Sequence, residues 1–295
     1  VTTQLQRAIE SGAFVYTAEV TPPLSTRAED LLERAAALKG VADAVNVTDG
    51  ASAKTHMDCV VAAAILQRAG IEPILQLTAR DRNRIALQSA LIGAAAIGVH
   101  NVLFLTGDDP KQGDQPDAKP VFDLDSSTLA ATARAIRDDH ALPHGRKVTG
   151  EAPFFIGLTD MPIDPAPGWA PTSLKRKVEA GAQFIQTQFC MDVGVARRYM
   201  ERLAEHGVSV PFLIGVAPIA SAKSARWMKD KLYGAIIPDW IVARLEAASD
   251  VKAEGRAICI DIINELKTVA GIAGVHVMAP LNEASITPVI MAARG

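Results

Sequence analysis

A carboxylate inside an apolar run is the first feature of this sequence that could do chemistry. Glu19 lies in FVYTAEVTPP, a stretch that otherwise reads as a buried strand. A charge there is costly unless it is paired or used. Period-two alternation puts Glu19 on one face with Val15 and Thr17. Two readings follow: a carboxylate buried against a Lys or Arg from elsewhere, or a functional acid, since perturbed carboxylates cluster at sites.

Other candidates stand at the ends of apolar runs. Asp108 follows the run Asn101–Leu105 through Thr106 and Gly107. Gly107 suits close backbone approach to a ligand, and Gly-Asp-Asp-Pro is equally good turn chemistry. In FIQTQFC, Gln186 and Gln188 share a face and predict either a polar interior or a pair of satisfied amides. The stretch from Thr172 through Ser173 to Lys175, Arg176 and Lys177 opens a helix. Cations in a first turn oppose the helix dipole, and a bound anion at the free N–H groups removes the conflict. The alternative is a solvated basic surface.

The six histidines show no metal-ligand spacing, so no metal is expected. Neither a Gly-x-Ser-x-Gly elbow nor a Gly-x-Gly-x-x-Gly fingerprint occurs. The net charge of −3, with no basic stripe, argues against nucleic acid. No apolar run is long enough to span a bilayer, and the N-terminal stretch does not read as a signal peptide. Three widely spaced cysteines fit neither a disulfide framework nor a zinc site, which points to a reducing cytoplasm.

The elements that must position these residues alternate strand and helix from end to end. Strands are expected at 14–20, 44–47, 73–77, 101–105, 153–157, 184–189, 211–215 and 274–278. Helices follow each, the first capped by Thr26 with Glu29 in a capping box and the second running over 56–68. The stretch from Thr106 to Ser126 is the longest irregular segment and is read as functional or disordered. Eight repeats of strand and helix over 295 residues predict a single (β/α)8 TIM barrel, 1–295, with the site at the carboxyl ends of the strands.

Several segments in order resemble the methylenetetrahydrofolate reductase family: AEVTPP, NVTDG, LTGDDPKQGDQPDAKPVFDLDS, LKRKVEAGAQFIQTQF, IPDW and APLNE. The resemblance covers nearly the whole chain, and the LKRKVEAGAQFIQTQF block is its most specific part. It implies a catalytic barrel without a regulatory domain that uses FAD to pass hydride from NAD(P)H to 5,10-methylenetetrahydrofolate, in either direction. It also implies a homo-oligomer. Glu19 would be the general acid and Asp108 would hold the pterin and tune the flavin. Gln188, Asn282 and Leu245 would face the substrate. Thr48, Gln76, Thr78, Thr106, Gly107, Phe122, Met161, Ser173, Arg176 and Lys177 would face the flavin, the two cations near its diphosphate. The chain departs from the family at several of these positions. Gln76 stands for a common His, Thr106 for Arg, Met161 for an aromatic and Leu245 for a stacking aromatic. APLNE carries Glu283 where Arg is common. Two further readings stay open: a flavin-free folate-binding methyl-transfer barrel, and a non-catalytic folate-binding subunit.

Overall fold

Ahead of the first strand, Gln4–Glu10 forms a short helix, α1, that the strand pattern does not announce. Thr3 caps it, its hydroxyl accepting from the Gln6 N–H at 3.1 Å. The Glu72 carboxylate accepts from the N–H groups of Gln4 and Leu5, each at 2.8 Å. An anion at a helix start is favourable, so Glu72 fastens α1 to the barrel floor. The computed structural model describes residues 2–295.

Eight parallel strands follow: β1 Val15–Val20, β2 Ala44–Val47, β3 Pro73–Thr78, β4 Asn101–Leu105, β5 Phe155–Asp160, β6 Phe184–Phe189, β7 Phe212–Val216 and β8 Ile272–Val277. Each pairs with the next, and β8 pairs with β1, so the sheet closes into the expected barrel and leaves no open edge. The outer helices are α2 Ala28–Ala35, α3 Cys59–Arg68, α4 Arg84–Ala96, α5 Ser126–Asp139, α6 Thr172–Glu179, α7 Val193–Glu205, α8 Ala222–Lys231, α9 Asp239–Ala247, α10 Val251–Leu266 and α11 Ile286–Arg294.

Alternation along each strand divides the interior. One set of residues packs outward into the main core beneath the helices, which also buries the three cysteines. The other set points into the lumen. Its lower layer is apolar: Val15, Ala44, Ile74, Leu103, Phe155, Phe184 and Leu213, plugged from below by Leu5 and Ile9 of α1. The Phe155 and Phe184 rings stack at 5.0 Å, and Gly157 makes room for them, since a Cβ there would lie 2.2 Å from the Phe184 ring. Burying a side chain of this size contributes about 1.5–3 kcal/mol. Above that floor the lumen turns polar, with Thr17, Asn46, Gln76, Gln186 and His276 all buried.

Several boundaries differ from the sequence reading, each for a local reason. Helix α3 starts at Cys59, not near 56, because the Asp58 side chain accepts from the N–H groups of Val60 and Val61. The Thr26 capping box does not form: Arg27 precedes α2 without a side-chain cap, and the Ser25 hydroxyl instead donates to Asp30. Strand β5 runs later than 153–157 because Thr159 and Asp160 stay paired with Gln186 and Thr187 of β6.

Candidate active site

Parallel closure sends every strand to the same mouth, and most of the predicted residues gather there. Glu19 is the fifth residue of β1 and pairs in register with Asn46. Its side chain is 17% exposed, open toward the mouth. No Lys or Arg lies within ion-pair distance of it among the described residues; the one basic group that does is His276, with Nε2 3.6 Å from Glu19 Oε2. The structure thus removes the reading of Glu19 as a carboxylate buried against Lys or Arg. His276 is fully buried, its Nδ1 3.0 Å from the Thr17 hydroxyl.

Thr48, Thr78 and Gln188 complete the upper lumen. The Thr48 hydroxyl is buried without a hydrogen-bond partner, as is Asn46 Oδ1. The Thr78 hydroxyl donates to Asp49 at 3.0 Å. Gln188 accepts from the Phe189 N–H at 3.0 Å and donates weakly to the Tyr233 carbonyl at 3.4 Å. Gln186 lies one layer deeper and accepts from Asn46 Nδ2 at 2.9 Å.

A charged lattice fixes the loops after β2, β3 and β4. Asp49 is nearly buried and accepts from the Thr78 N–H and hydroxyl and from Arg82 at 2.7 Å and 3.3 Å. Burial is the largest influence on Arg82 and opposes its charge, but the hydrogen bond to Asp49 and the nearby charges of Asp49 and Asp58 together outweigh it and raise the guanidinium pKa above its usual value. Arg80 donates to Gly50 O, Asp81 and Asp108 O, so one side chain ties the three loops together. Gly107 has φ +98°, and a Cβ there would meet the Arg80 Cβ at 2.9 Å and the Thr78 Cβ at 3.2 Å. Its freedom from a side chain therefore serves packing against β3. Asp108 keeps its carboxylate exposed at the rim.

Beyond β4, Thr106 and Phe122 line an open cleft of about 500 Å³ with Asp123, Leu124, Asp125 and Thr128, at the start of α5. Asp125 is held below the usual carboxylate range, chiefly by the Thr128 N–H and in part by the nearby charge of Arg176. Met161 follows β5 and packs its sulfur against Gly234.

The start of α6 corrects one expectation. Thr172, Ser173 and Leu174 open the first turn, so Lys175 falls mid-helix and Arg176 and Lys177 fall in the last turn of an eight-residue helix, where the dipole favours cations. No dipole conflict at the start of α6 calls for a bound anion. Lys177 already donates to Thr159 O at 2.5 Å and lies 3.5 Å from Asp160, whose other oxygen accepts from the buried Tyr199 hydroxyl. Leu245 is a second correction. It is 1% exposed within the main core, so the structure does not bring it to the mouth.

Asn282 stands exposed after β8, followed by Glu283, which the sequence reading left without a role. Glu283 is 7% exposed and its Oε1 has no partner. Burial pushes its carboxyl above the ordinary range; Arg34 opposes the rise and the Glu19 carboxyl adds to it. Asn46, Asp49, Arg80, Arg82 and His276 also went unassigned. For Asn46 and His276 the signal was present: each sits mid-strand at the spacing that points a side chain into the lumen.

Such a molecule is a (β/α)8 barrel whose carboxyl-end mouth gathers an open acid, amides and a charged loop lattice above an apolar floor. It belongs to the methylenetetrahydrofolate reductase family, whose model matches residues 4–295. The 5,10-methylenetetrahydrofolate reductases of Salmonella typhimurium and Escherichia coli K12 are each 26% identical to it, over 86% of this chain and 82% of theirs. A probable methylenetetrahydrofolate reductase (NADH) of Oryza sativa is 28% identical over 89% of this chain and 45% of its own length.

Proposed function

We propose that the chain reduces 5,10-methylenetetrahydrofolate to 5-methyltetrahydrofolate with a hydride drawn from NAD(P)H. One observation carries this reading: Glu19, in a family of reductases, stands at the luminal top of β1 without Lys or Arg and still open to the mouth. A carboxyl so placed can give a proton to a nitrogen of the folate's five-membered ring. The carbon–nitrogen bond then breaks, the methylene carbon becomes an iminium, and hydride adds to it. Net, the substrate gains one proton and one hydride. Gln188 and Asn282 stand at the same mouth with amides able to hold the pterin, and the exposed Asp108 carboxylate suits its amino-pyrimidine edge.

FAD is the customary hydride carrier in this family. The orphaned Thr48 hydroxyl and buried Gln76 fit the polar edge of a flavin ring. The other end fits poorly. Of the two cations expected at the diphosphate, Lys177 is engaged by Asp160, and Arg176 is exposed, with its charge felt at Asp125. With Lys177 already engaged, the donor set leaves Arg176 as the one open cation of the two, a poor match for a diphosphate, and no step above is routed through the flavin.

Incubating the purified protein with methylene folate and NADH or NADPH tests the proposal. Methyl folate formed in step with nicotinamide oxidation supports it; absence of product with both nicotinamides defeats it. The visible spectrum of the same sample shows whether a flavin is carried.

A further inference from the structure

His276 is a fully buried polar group of the lumen that nothing in the reaction as written uses. Its ring is fully buried in β8, directly opposite Thr17 in the register with β1. Nδ1 is 3.0 Å from the Thr17 hydroxyl, whereas Nε2 is buried with no hydrogen-bond partner and points at Glu19 Oε2, 3.6 Å away. An orphaned buried nitrogen is costly, and this one faces the group that the reaction needs.

The hydrogen-bond network assigns the ring proton. Thr17 has one hydroxyl proton and two acceptors within reach, His276 Nδ1 at 3.0 Å and Val275 O at 3.4 Å. In one arrangement Thr17 donates to Nδ1; in the other it donates to Val275 O and accepts from an Nδ1–H, which leaves a bare Nε2 lone pair facing the Glu19 carboxylate, so the first is favoured. The neutral ring then carries its proton on Nε2, aimed at Glu19. We propose that His276 is a positioning residue for Glu19: its Nε2–H holds Oε2 and leaves Oε1 to carry the transferable proton toward the substrate. This deepens the function proposed above and rests on it.

The contact is just too long for a hydrogen bond in the free protein, and catalytic hydrogen bonds often tighten only in the complex. As Glu19 gives up its proton, negative charge grows on the carboxylate and the Nε2–H contact becomes charge-assisted, hence stronger. Help that grows with the developing charge acts on the transition state rather than on substrate binding. Glu283 lies close enough to Glu19 to feel its charge and is in turn near Arg34; neither Glu283 nor Arg34 approaches His276 within ion-pair distance among the described residues.

The test compares His276→Phe, which keeps ring volume without a donor, with His276→Gln, whose amide can donate from a similar place. With methylene folate as substrate, His276→Phe is expected to lower kcat about tenfold or more, with KM within about twofold, a share of the effect expected of the acid itself. His276→Gln is expected to recover most of the loss. A natively melting His276→Phe protein with unchanged kcat overturns the proposal, as does a folded His276→Gln no better than Phe. Imidazole nitrogen shifts of the labelled wild-type protein give a readout free of activity. An Nε2–H tautomer for His276 supports the pairing, and an Nδ1–H tautomer overturns it even if Phe fails to fold. A wild-type protein with the Nε2–H tautomer and no methylene folate reduction keeps the pairing and overturns the functional reading instead.

Discussion

Asn46 and Gln186 hydrogen-bond across the barrel lumen, Nδ2 to Oε1 at 2.9 Å, although β2 and β6 are not neighbours in the sheet. The bond closes the polar layer between the apolar floor and the open mouth. Replacing Gln186 by Leu leaves the Asn46 amide buried and unsatisfied, which costs about 1–3 kcal/mol. The double replacement Asn46→Val with Gln186→Leu is expected to cost less than the sum of the two singles. Chemical denaturation of the four proteins measures both.

The loop lattice rests on Asp49. Its removal strips Arg82 of its principal partner and frees the N–H and hydroxyl of Thr78. Breaking a buried pair by deleting one member costs about 3–5 kcal/mol, and the partial exposure of Arg82, 21% for the side chain, places Asp49→Ala at or below the lower end. The same denaturation assay reads the loss; a change under about 0.5 kcal/mol, the scale of an ordinary surface substitution, contradicts the lattice.

Glu283 gives stability a pH dependence of definite sign. Its folded carboxyl holds its proton to higher pH than the unfolded one, mainly through burial. Between the ordinary carboxyl range and that raised value the native state binds more protons than the unfolded state, so stability falls as pH rises. Glu283→Gln removes this contribution. The variant's melting temperature is expected to gain on the wild type between acidic and neutral pH; a parallel pair of curves contradicts the assignment.

Gly107 is predicted to resist replacement on two counts, its φ of +98° and the 2.9 Å approach to the Arg80 Cβ. Gly107→Ala is expected to destabilise by about 1–3 kcal/mol. A neutral melting temperature contradicts this reading of the turn.

Much of this was legible in the sequence, and the reasons differ by residue. The strands β4 and β6 are apolar segments bounded by turn residues, and both match the expected limits. Glu19 was legible because a lone charge in an apolar strand is rare. Helix α1 was not, because seven residues of modest pattern gain their place from Glu72, a long-range contact. The pairing of Lys177 with Asp160 was not legible because Asp160 comes from strand β5, and local spacing cannot reveal which cations already have a carboxylate beside them. Leu245 failed for a related reason: order along the chain located the helix, but only the packed structure shows which face of α9 turns into the core. The Asn46–Gln186 bond needs barrel closure to exist at all.

The central claim, that Glu19 is the proton donor for methylene folate, is tested most directly by single-turnover methyl folate formation in Glu19→Gln, with folate binding measured on the same protein. The account predicts a rate at least about 10²-fold below wild type with binding retained. A variant that binds folate and forms methyl folate within a few-fold of the wild-type rate contradicts it.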